Sequence, residues 1–86
     1  MTLIQKQDQL VAQLEPIYFS RIAQGKSGMD GQASGLKSRA KRLHAEMLMK
    51  EGYTKDEAWQ SASDCEQVAY RNADHKAYMA GMGVPA

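Results

Sequence analysis

Gly52-Tyr53-Thr54-Lys55-Asp56-Glu57-Ala58 is the stretch on which the fold turns. Gly52 can adopt the left-handed backbone that closes a helix. Thr54 then offers a hydroxyl to the first free N–H groups of a new one, and Glu57, three residues on, can reach back to the Thr54 N–H. Asp56 and Glu57 also place negative charge at the positive end of the helix dipole. Two helices joined by so short a link must fold back on each other as a hairpin.

C-terminal of the join, the spacing predicts a helix over about 55–80. Its stripe is Ala58, Ala62, Cys65, Ala69, Ala73 and Ala80, with Trp59 and Tyr70 at one margin. Small side chains in a seam let a neighbouring backbone approach closely. N-terminal of the join, Leu36, Ala40, Leu43 and Met47 recur at four, three and four, flanked by His44 and Leu48, and predict a helix over about 36–51 with that stripe inward. This helix is too short to cover the Ala seam, so the first helix or a second copy of the chain must cover the rest.

Before it, residues 24–35 hold four glycines and little apolar content, which reads as a loop. Further upstream, Leu3, Leu10, Val11, Leu14, Ile17, Tyr18 and Ile22 share one helical face, and Thr2 with Gln5 forms a capping box, predicting a helix over about 2–23. Pro16 removes a backbone donor and disfavours helical geometry at Glu15. The stripe keeps its phase across Pro16, which favours a kinked helix over two short ones. Residues 1–86 are thus expected to form a single all-α domain, a small three-helix bundle, with neither strand-like alternation nor an internal repeat.

A domain of 86 residues is hard to stabilise alone. One Cys rules out an internal disulfide, and with two His it falls short of a zinc set, so self-association is the readiest reinforcement and a homodimer is expected. No apolar run approaches the length of a signal peptide core or a membrane span, so the expected location is the cytoplasm.

The net charge of +1 hides a partition. Residues 1–25 sum to zero, residues 26–50 to +4 and residues 51–86 to −3. Lys37, Arg39, Lys41 and Arg42 crowd the start of the second helix, with Lys26 before them, against the local dipole. Three readings fit this block: a face neutralised by the acidic third helix of its own hairpin, a phosphate footprint for nucleic acid, or a docking surface for an acidic protein. The near-neutral total argues against nucleic acid, as does a start to the third helix, at Lys55-Asp56-Glu57, that would repel phosphate from a helix-turn-helix.

Catalytic signals are weak. Gly25-Lys26-Ser27 resembles the end of a phosphate loop, but Ser20 stands where the upstream glycine belongs and a helix precedes it. Cys65 lies on the Ala seam, where a thiol behaves as a small apolar group, and His75 points about 80° away at 100° per residue. His44 flanks its stripe as a half-covered boundary residue. Asp56 and Glu57 are explained by capping, and Asp64 and Glu66 do not share a face. No cofactor or metal is expected.

Phe19, Met49 and Tyr78 lie off their stripes and are expected to form apolar surface that a partner covers. The expectation is a non-enzymatic protein-protein interaction module that binds and modulates, by inhibition, a partner protein or complex. Small helical chains of this kind are often products of phages and mobile elements. Its face would join Lys26, Lys37, Arg39, Lys41 and Arg42. The alternative is a small nucleic-acid-binding regulator using the same 26–42 segment.

Overall fold

Thr2 and Thr54 each hold extended backbone just outside a helix, and each completes both bonds of its capping box. Gln5 N donates to Thr2 Oγ1 at 3.2 Å and Thr2 N to Gln5 Oε1 at 2.8 Å; the Thr54 and Glu57 bonds are 3.1 and 2.9 Å. The computed structural model describes residues 1–24 and 31–81. Among these it contains three helices and no strand: α1 (Leu3–Ala23), α2 (Gly31–Lys50) and α3 (Lys55–Met79).

α1 is one continuous helix through Pro16. It buries Lys6, Leu10, Leu14 and Tyr18, a strict four-residue ladder. α2 and α3 meet through a complete Schellman closure: Tyr53 N donates to Leu48 O at 3.2 Å, Gly52 N to Met49 O at 3.1 Å, and Gly52 has φ +100°. Tyr53 also packs beside Leu48, the apolar contact that accompanies this motif.

Contacts fix the directions. Gln7 meets Ser61, and Glu15 meets Asn72 and Lys76, so α1 and α3 run parallel. Lys41 meets Glu66 and His44 meets Ser61, so α2 is antiparallel to α3. The result is an up-down-up bundle. Its main core sets Leu10, Leu14 and Tyr18 of α1 into the small-residue seam Ala62, Cys65, Ala69 and Ala73 of α3. Large against small allows tight approach, and each buried leucine contributes about 2 kcal/mol. A second cluster of Ala45, Leu48 and Ala58 lies beside the hairpin, and Trp59 packs against both.

Three features differ from the sequence reading. The loop expected over 24–35 is shorter, because α2 begins at Gly31; residues 25–30 lie outside the described residues. A helix already nucleated extends at the cost of one residue per added bond, which offsets the glycines at its start. The α3 seam ends on Ala77, not Ala80, which is exposed as the C-cap. Of the two covers expected for the seam, the first helix supplies it from Ala62 to Ala73.

The third difference matters most. α2 is turned by about one residue from the expected setting. Lys37, His44, Ala45 and Leu48 are buried, whereas Leu36 is 58% exposed and Leu43 53% exposed. Two causes act together. The tight closure ties the α2 terminus through Leu48, which fixes the helix rotation. α3 also presents Glu66 and Ser61 on its α2 side, giving Lys37, Lys41 and His44 polar partners there. A lysine stem lies well across an alanine seam while its ammonium reaches a carboxylate.

Candidate functional site

The basic block divides into two faces. Lys37, 8% exposed, places Nζ 3.4 Å from Glu66 Oε2, and Lys41 places Nζ 3.0 Å from the same oxygen. Burial pushes the Glu66 carboxyl up, but the Lys41 hydrogen bond and charge, then those of Lys37, outweigh it and leave it below its ordinary value. Arg39 and Arg42 face solvent, and among the described residues neither forms an ion pair. Lys26 lies outside the described residues. Of the five expected cations, two are therefore engaged by α3 and two are free on the outer surface of α2.

The apolar residues expected at a partner surface also separate. Phe19 is half-buried against the main core and Met49 against the second cluster, so both serve the bundle. Tyr78 is 61% exposed. The larger apolar exposure on α2 lies elsewhere, at Leu36 and Leu43, with Ala40 and Met47 half-buried between and beyond them. Ala40, Leu43 and Met47 form one wall of a groove of about 200 Å³ whose other wall is α1, through Lys6, Gln9 and Gln13.

Sequence reasoning missed the polar interior. Lys6 is 6% exposed, ion-paired to Glu51, and its Nζ donates to Met1 O at 3.1 Å. Its signal was its phase, three residues after Leu3 and four before Leu10. His44 is 4% exposed, with Nε2 2.9 Å from Ser61 Oγ, which also accepts from Gln7 Nε2 at 3.0 Å. Burial, and then the Lys6 charge, hold the His44 imidazole below its ordinary value. The cluster ties all three helices together.

A histidine beside a hydroxyl is the start of a nucleophile pair. Here Ser61 is 8% exposed and is not among the residues lining the groove. Cys65 is buried, its Sγ donating to Gln7 O at 3.6 Å, and burial, then Asp64, push the thiol up. His75 is exposed on the same helix. Among the described residues no three His, Cys, Asp or Glu side chains are grouped to hold a metal, and no helix is long and apolar enough to cross a membrane.

The arrangement presents an exposed stripe of leucine flanked by free guanidinium groups. Compared with protein-family models, with curated proteins and with solved structures, the chain matches none.

Proposed function

We propose that the protein is a non-enzymatic interaction module of the cytoplasm that binds and modulates a protein partner through the outer face of α2. One observation carries this reading: Leu36 and Leu43 are more than half exposed on a helix whose polar residues Lys37 and His44 are buried. Turning leucine outward and lysine inward loses apolar burial unless something covers the leucine. Arg39 and Arg42 beside the stripe supply a charged rim of the kind that steers association. The sequestered Ser61 and Cys65 fit a molecule that acts by contact rather than by catalysis.

The nucleic-acid alternative is weaker, because Glu66 engages Lys37 and Lys41 and removes half of the footprint that α2 would offer to phosphate. The test is affinity capture from the native host with the wild type and the double variants R39E/R42E and L36E/L43E. Loss of the captured partner in both variants, with helix content unchanged, is expected. Capture at the wild-type level by both would overturn the assignment of this face.

A further inference from the structure

The exposed stripe of α2 has a repeat of its own. Leu36, Ala40, Leu43 and Met47 follow the four-three-four spacing of a coiled-coil seam, with Leu36 and Leu43 at d and Ala40 and Met47 at a. In this register Arg39 and Glu46 occupy the g flank, and both are exposed. The e flank holds Lys37 and His44, which are buried against Glu66 and Ser61 of α3. The two leucines of the seam and the g flank are therefore free, while Ala40 and Met47 are half-buried toward α1 and complete the seam from the groove side.

Two antiparallel seams pair a with d and g with g. Setting Ala40 against Leu43 of a second copy sets Leu36 against Met47 of that copy. The small alanine leaves room for the leucine opposite. The same register brings Arg39 opposite Glu46 of the second copy, and the two-fold axis repeats the pair, giving two ion pairs of opposite sign. A parallel pairing instead matches g with the following e, and the e residues Lys37 and His44 are buried against Glu66 and Ser61 of α3, so Arg39 and Glu46 would find no partner there. Charge thus selects the antiparallel arrangement.

Resting on the reading of α2 as the contact face, we infer that its partner is a second copy of this chain, docked as an antiparallel α2–α2 pair closed by Arg39–Glu46 ion pairs. Leu36 and Leu43 are then covered, and Gln9 and Gln13 of α1, at the far wall of the groove, supply a polar rim. The contact is isologous and closes at two chains.

The experiment uses sedimentation equilibrium on the full chain. The wild type is expected to rise toward about 19 kDa, twice its 9.5 kDa, as concentration increases. R39E leaves two glutamates on the g flank and E46R two arginines, so each variant alone should dimerise about tenfold more weakly, since two attractive pairs become repulsive. Mixing R39E with E46R restores both pairs and should return association to the wild-type level. A misfolded variant cannot give that restoration. A wild type that stays monomeric overturns the inference but leaves the face free for a different protein, which the capture experiment tests separately. A wild-type dimer indifferent to either reversal, or reversals that mixing does not rescue, also overturns it.

Discussion

At Gly52 the backbone has φ +100°, and a Cβ placed there would meet nothing within 4 Å. The obstacle to any other residue is therefore conformational, and Gly52→Ala is expected to lower stability by about 1 kcal/mol, read as a shift of the urea midpoint. His44 gives the residue-scale prediction for pH. Its folded value lies below 6.5, so the unfolded chain binds the proton first as pH falls. Stability should be level above about pH 6.5, fall as pH drops through the folded value, and level off again with respect to this group. His44→Gln, which keeps a polar group toward Ser61 without titrating, should flatten that part of the profile. The capping residues and Gly52 could be read directly because their chemistry is local. Lys37 and His44 could not be placed inside, since their burial depends on Glu66 and Ser61 of another helix, whereas the phase of Lys6 pointed inward and its charge argued against it.

The helices themselves were legible to within a turn at every boundary except the start of α2. There four glycines argued for a loop, and extension of an already nucleated helix carried it back to Gly31. Gly35 lies inside α2 without a positive φ, and a methyl group in place of its hydrogen would meet no atom within 4 Å. Gly35→Ala is expected to raise stability by about 1 kcal/mol, with a higher thermal midpoint; a lower one would contradict a helix at that position. The rotation of α2 is the part that periodicity misassigned. Its apolar stripe is regular, but a second set of residues, Lys37, Lys41, His44, Ala45 and Leu48, is equally regular about 100° away. Hydropathy alone selects the first set. The bundle selects the second, because the hairpin closure holds Leu48 and the polar partners sit on α3.

At the scale of the molecule, the three helices of the described residues enclose a narrow core in a body of 47 × 25 × 17 Å. The hairpin was evident from one join, and the fit of α1 to α3 follows from leucines meeting alanines. The contact face was only partly legible. Arg39 and Arg42 were chosen for charge and remain outside, whereas Lys37 and Lys41 turned in, and Phe19 and Met49 joined the cores. Leu36 and Leu43 were assigned inward because their spacing is that of an apolar seam, and the structure leaves both more than half exposed on α2. Leu43→Glu decides whether this seam is the contact, read by sedimentation velocity with circular dichroism on the same samples. The wild type is expected to associate with rising concentration, and the variant to keep its helix content and thermal midpoint while remaining at 9.5 kDa. A variant that unfolds would place Leu43 in the core, and one that associates like the wild type would place the contact elsewhere; either result rules out the α2 seam as the contact face.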